Sequence, residues 1–304
     1  MTFRFFRPVL FQEYPAYTLR GLLGYALIRL LHPELAAGED PPADSPFWRI
    51  FKPRLERRDK GAAPHLFLLD CAAGPGFGTA LRARLRTFGR AVELTPLLIE
   101  AFKNHGAVGF GESPPTPYEL DAAPVHVPPP PWTDRWRPAG SRAWLLEFTT
   151  PAQLSVGVQT LEGSKRRIQL HKPRRDEAPL FFLGRPVDEF PGRMIDAQLA
   201  LHATAWAAAR NLREMCAASG VQYEQNADAV TAAIWDETEI TRVSLGIVSD
   251  TPSPKRSIAL DGIVGRIEFD APPELERLLR IGELTGVGAR KFEGCGRIKL
   301  STAK

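Results

Sequence analysis

The sequence predicts an α+β protein made of two halves with the same closing order of elements, and three observations carry that expectation. In the first half a helix opened by proline (residues 96–105) runs into Gly106, Gly109 and Gly111 and then into a strand-like segment, 118–127. In the second half a proline-opened helix (273–280), then Gly282, Gly286 and Gly288, and a closing strand at 294–300 repeat that order. Between the halves stand four consecutive prolines, Pro128 to Pro131, followed by Trp132, Trp136 and Pro138; such a run favours an extended conformation and excludes a central strand. The expected division is therefore 1–127, a Pro-rich linker at 128–142, and 143–304. A chain of 304 residues with 44% hydrophobic content can bury a core in each half.

The elements follow in order. Residues 2–11 are rich in Phe and read as a strand, with Tyr14-Pro15 as an interruption before Thr18 caps a helix over 19–31. Leu19, Leu22, Leu23, Ala26, Leu27, Leu30 and Leu31 form its apolar stripe, Arg20, Gly24 and Arg29 lie off the densest part of it, and Pro33 stops it. Charged and proline-bearing residues at 36–64 read as loop, followed by strands at 65–70 and 79–88. The second half opens with a strand at 143–149, a basic loop, and a long alanine-rich helix at 193–219 that Gly220 ends. Strands are expected at 240–247 and 257–269.

The formal charge of +4 is mild, but the cations cluster, which points to a polyanionic partner. Lys165, Arg166, Arg167, Lys172, Arg174 and Arg175 precede any acidic residue in their segment. Such a loop can neutralise phosphates and follow the groove of an A-form stem; the competing reading is a solvated charge run. Cys71, Cys216 and Cys295 form neither a C-x-x-C pair nor an even disulfide set, which fits a reducing, cytoplasmic setting. The opening residues carry Arg4 and Arg7 among aromatics, so neither a signal peptide nor a membrane span is expected.

The glycine segments fail the nucleotide tests. After Gly288 come Ala289, Arg290, Lys291 and Phe292, so the lysine and hydroxyl of a phosphate loop are misplaced, and Pro114 and Lys291 stand where a dinucleotide fingerprint needs its third glycine. What remains is a glycine loop offering backbone amides at Gly286 and Gly288, with Arg290 and Lys291 beside it, suited to a sugar-phosphate backbone or else a solvated turn. No histidine pair has H-x-x-x-H spacing and no G-x-S-x-G occurs, so neither metal nor cofactor is expected. RNA supplies its own nucleophile: a 2′-hydroxyl attacks the adjacent phosphate once it is aligned and deprotonated, the phosphorane is stabilised and the leaving oxygen protonated. His32, with Arg20 and Arg29 on the same helix, is the local group that fits; a histidine at a helix end also serves the helix dipole.

Several segments then carry a resemblance. Leu19-Arg-Gly-Leu-Leu-Gly-Tyr-Ala-Leu27, Thr87-Phe-Gly-Arg-Ala91 with Leu94-Thr-Pro96, Gly109-Phe-Gly111, Thr241-Arg-Val-Ser244, Leu260-Asp-Gly-Ile-Val-Gly265, Ile281-Gly-Glu-Leu-Thr-Gly-Val-Gly288 and Phe292-Glu-Gly-Cys-Gly296 together resemble the CRISPR-associated precursor-RNA processing endoribonucleases of the RAMP superfamily. The resemblance implies tandem ferredoxin-like (RRM-like) domains and metal-independent cleavage of CRISPR repeat RNA at the base of a stem-loop, leaving a 2′,3′-cyclic phosphate. It also implies a crRNA that stays bound, with other CRISPR effector subunits as partners. On the family's pattern, His32, Arg20 and Arg242 are the matching catalytic candidates, and the helix at 193–219 with the segment to Glu239 resembles the helical insertion of type IV members. A non-catalytic crRNA-binding subunit of the same fold is the principal rival, and an assembly protein meeting acidic partners a more distant one.

Overall fold

The computed structural model describes residues 1–11, 15–36, 39–51, 66–71, 76–111, 114–123, 138–140, 143–172, 180–183, 185–187, 196–221, 226–248, 261–289 and 295–303. Most of the proposed linker lies outside them. The chain divides into two units: unit 1 comprises residues 1–126, 214–223 and 292–294, and unit 2 the remainder.

Unit 1 runs β1 (Thr2–Phe11), α1 (Pro15–Leu31), α2 (Pro46–Phe51), β2 (Phe67–Cys71), β3 (Gly76–Thr87), α3 (Thr95–His105) and β4 (Tyr118–Asp121). Its antiparallel sheet has the order β2-β3-β1-β4, which with one crossover helix in each half is the ferredoxin-like arrangement. The alternation of β1 decides which face packs: Phe3, Phe5, Val9 and Phe11 are buried, while Arg4, Phe6 and Leu10 are exposed. Phe3 meets Phe102 edge-on at 5.3 Å and Tyr118 at 5.2 Å, geometries that aromatic quadrupoles favour. Leu19, Leu23 and Leu27 close this core from α1.

One boundary differs from expectation. Pro15 does not interrupt the chain; it opens α1, as a residue lacking an amide proton can at a first helical position, and Thr18 sits inside the helix rather than capping it. The stretch expected to be loop contains α2, with Ser45 accepting a hydrogen bond from the Phe47 amide at 3.2 Å as its N-cap and Pro46 following.

Unit 2 contains β5 (Ala143–Ala152), β6 (Ser155–Thr160), β7 (Lys165–Gln169), β8 (Leu180–Phe182), β9 (Arg185–Val187), α4 (Ala197–Ala218, whose last residues belong to unit 1), α5 (Ala227–Ile234), β10 (Glu239–Val248), β11 (Gly262–Asp270), α6 (Pro273–Thr285) and β12 (Ile298–Thr302). The order β10-β11-β5-β12 reproduces that of unit 1, so the tandem ferredoxin-like expectation is met. α4 takes the place of the first crossover helix; the additions are α5 and a second sheet, β7-β6-β8-β9, inserted after β5. Lys165, Arg166 and Arg167, read as part of a basic loop, are thus strand. Small residues let α4 and α6 approach closely: a Cβ at Gly282 would lie 3.3 Å from the Ala208 methyl. No helix among the described residues is long and apolar enough to cross a membrane.

Candidate nucleic-acid interface

The end of α1 gathers chemistry within unit 1. His32 is the first residue beyond the helix, its amide donating to the Ile28 carbonyl at 2.7 Å. Its ring is mostly covered, with Nε2 2.7 Å from Ser45 Oγ and Nδ1 3.5 Å from a Glu34 carboxylate oxygen. Ser45 Oγ, which accepts from the Phe47 amide, is thus also within hydrogen-bond distance of Nε2. The N-cap of α2 therefore also sets the orientation of His32.

Arg29 is exposed and one turn before His32 on the same helix, a spacing that puts the two side chains on one face. Arg20 is twelve residues before His32, roughly 18 Å along the axis by helical rise. Its guanidinium lies over the Phe51 ring at 5.5 Å, and its buried Nε has no hydrogen-bond partner among the described residues. Arg29 thus lies in the last turn of α1, three residues before His32, and Arg20 is held against the far end of α2.

A residue that sequence reasoning passed over lies within the electrostatic reach of Arg29. His105 ends α3, half-buried, and its pKa is lowered first by desolvation and then by the Arg29 guanidinium. It is consequently neutral at ordinary pH, the form that accepts a proton. The sequence held a signal for it: a histidine closing a helix directly before Gly106 matches the position of His32 before Pro33.

Arg242 belongs to unit 2, on β10 at the edge of the sheet. Its side chain is 77% exposed, opposite Glu268 in the strand register and 3.6 Å from that carboxylate.

The basic cluster is partly resolved into geometry. Lys165, Arg166 and Arg167 are exposed on β7, itself the edge of its sheet, paired with Gln159, Val158 and Gly157. Strand alternation sends Lys165 and Arg167 to one face and Arg166 to the other. Edge cations also keep strands from pairing with other chains, so this row has a protective use besides phosphate binding. Lys172 is exposed just after β7, and Arg174 and Arg175 lie outside the described residues.

The terminal glycine loop is tied to neighbouring backbone: Val287 donates to the Gly296 carbonyl at 2.9 Å and Ala289 to the Gln153 carbonyl at 3.0 Å, and the Gly286 carbonyl accepts from the Asn211 amide group at 2.7 Å. Gly288 has φ 74° and a Cβ there would stand 2.6 Å from the Gln153 carbonyl oxygen, so the glycine serves a close backbone approach. Below it the Gln153 side chain donates to Asp261 at 2.6 Å, and Asp261 holds buried His171 at 3.4 Å. Arg290 and Lys291 lie outside the described residues. Gly288→Ala is expected to cost about 1–3 kcal/mol, visible as a Tm several degrees lower, because the positive φ and the collision act together.

Comparison with known proteins places this architecture. A family model, the AF_1859_N N-terminal domain, matches residues 1–128. No curated protein sequence matches the chain. Among solved structures, a Thermus thermophilus Cas6 (TTHB231) in a product complex is similar at TM-score 0.54 and 16% identity, covering 99% of each chain. A second Cas6 (TTHA0078) product complex is similar at TM-score 0.50 and 17% identity, covering 99% of this chain and 98% of that one. The chain has the Cas6 fold. The likeness extends over nearly the whole chain of each Cas6 and, at these identities, is one of fold.

Proposed function

We propose that the chain binds CRISPR repeat RNA and cleaves it without a metal by attack of a 2′-hydroxyl at the base of a stem-loop, retaining the crRNA. The observations that support this reading are His32 and Arg29 at the end of α1 and His105 at the end of α3, with Arg29 acting electrostatically on His105, in unit 1 of a chain with the Cas6 fold. The reaction needs a proton acceptor, a cation for the phosphorane and a proton donor, and these groups supply the three roles. Neutral His105 takes the 2′-hydroxyl proton, Arg29 stabilises the developing charge, and His32, oriented by Ser45 and Glu34, delivers a proton to the leaving 5′-oxygen. Arg20 and Arg242, placed among the catalytic candidates by sequence, act in this reading as phosphate contacts. Lys165, Arg166, Arg167 and Lys172 hold the stem. Gly286 and Gly288 shape the loop that precedes Arg290 and Lys291 in sequence and complete its contact with RNA, and other CRISPR effector subunits are the expected partners.

A specific observation favours a second reading: both His32 ring nitrogens face protein groups, as they would in a non-catalytic RNA-binding subunit. Cleavage of labelled repeat RNA in EDTA separates the two. The endoribonuclease cuts the all-ribose substrate, and a single 2′-deoxy substitution at the cut position abolishes cleavage while binding persists. Tight binding with no cleavage of any substrate would establish the non-catalytic subunit instead.

A further inference from the structure

One end of the outer face of the unit 1 sheet is covered, Leu68 on β2 being only 2% exposed and Arg86 tied to Asp70 at 3.1 Å. The other end is open and holds large apolar side chains. Phe77 is 77% exposed, Phe6 69% and Leu10 58%, and Leu10 stands directly opposite Phe77 in the β1–β3 register. Directly opposed residues share a face, so these two form one apolar surface. Water-exposed phenylalanines are costly on a sheet that could carry polar residues there at no loss to the core, and none of the three contributes to the core.

The same strands supply cations. Arg4 on β1 and Arg82 and Arg84 on β3 are exposed, Arg82 opposite Thr2 and Arg4 opposite Ala80. Arg7, next to Phe6, is held by Thr116 Oγ1 at 3.1 Å and the Pro114 carbonyl at 3.2 Å, so its guanidinium is fixed in place. Acidic residues are paired into this stretch too, Glu119 on β4 opposite Arg4, Asp121 opposite Thr2 and Asp70 on β2 opposite Arg84, and the cations Arg4, Arg7, Arg82 and Arg84 outnumber them. Aromatic rings interleaved with guanidinium groups on an open sheet match unstacked bases on a phosphate backbone: each base offers a π-face and each linkage an anion. A duplex hides its base faces and would meet only the cations.

We infer that the outer face of the unit 1 sheet is a platform for single-stranded RNA, on which Phe6 and Phe77 stack bases and Arg4, Arg82 and Arg84 meet phosphates. The inference rests on the RNA-binding reading above and deepens it: unpaired RNA flanking the stem is held on a surface made by β1 and β3, apart from the end of α1.

The test uses the full chain, two fluorescein-labelled probes (a twelve-residue oligouridine and a blunt repeat hairpin), and the variant Phe6→Ala/Phe77→Ala. Stacking is worth about 1–3 kcal/mol per base, so the variant should bind oligouridine at least about 10-fold more weakly and the hairpin unchanged. Phe6→Tyr/Phe77→Tyr, which keeps both rings, should bind like the parent and guards against a folding effect. Equal oligouridine binding by parent and alanine variant overturns the inference, as does parallel loss for both probes. If the parent binds and cuts the hairpin but not oligouridine, the platform fails and the processing reading survives; if it binds neither, both fail. A dimer that dissociates in the alanine variant with oligouridine binding intact would assign the face to a second copy of the chain and overturn the inference equally.

Discussion

Replacing His32 with alanine should lower the single-turnover rate of repeat cleavage by about 100- to 10,000-fold, the range for removing a positioned proton-transfer group, with little change in RNA affinity. The expectation follows from geometry. Ser45 at 2.7 Å and Glu34 at 3.5 Å hold the ring in one orientation, from which one nitrogen exchanges its protein partner for the leaving oxygen. His105→Ala should fall in the same range, and the double variant should lose much less than the product of the single losses, since acid and base act on one transition state. If the histidine variants cleave at parental rates, the end of α1 is not the reaction centre. The pH profile adds a check specific to His105. Burial and Arg29 both push its pKa below the ordinary histidine value, so its basic form is available further into the acid range than a free imidazole would be. Arg29→Met removes the second of these causes, and the acid limb of the rate profile should move to higher pH; an unmoved limb would exclude His105 as the base. The unfolded chain takes up the His105 proton first as pH falls, so folding loses stability below the ordinary histidine pKa, until the folded group protonates as well.

Much of this architecture was legible because its signals are periodic. The odd-numbered aromatics of β1 and the leucines of α1 announce a strand and a helix without reference to anything distant. The paired order of helix, glycines and strand gave the two halves, and the sheet orders β2-β3-β1-β4 and β10-β11-β5-β12 bear that out. Signals that depend on partners were not legible. α2 is six residues amid prolines, too short for periodicity, and only its Ser45-Pro46 start marks it. β7 reads as three cations and two other residues, and becomes a strand because β6 pairs with it. At the glycine loop nothing local reveals that Gln153, distant in sequence, accepts from the Ala289 amide. His105 needed α3 packed near Arg29 before its lowered pKa could be seen. Composition chose the chemistry, and tertiary pairing chose which residues could perform it.

The triple variant Lys165→Ala/Arg166→Ala/Arg167→Ala should show the other large effect, in the salt dependence of RNA binding. If each cation neutralises one phosphate, binding releases about three counterions fewer in the variant, and the slope of log K against log salt becomes shallower by about 2–3. Between 50 and 200 mM salt the parent should then lose roughly 40-fold more affinity than the variant does. The strand geometry sharpens the expectation, because Lys165 and Arg167 share a face that Arg166 does not. The pair Lys165→Ala/Arg167→Ala should account for most of the slope change if one face of the hairpin lies along a stem, whereas Arg166→Ala alone should change it little. Equal contributions from all three would mean that RNA wraps the edge of β7. An unchanged slope in the triple variant, with the edge newly prone to aggregation, would show that the cations guard the strand edge and that the stem is held elsewhere. Because these residues lie in unit 2, cleavage chemistry at His32 should persist at saturating protein, and the loss should appear in affinity rather than in the maximal rate.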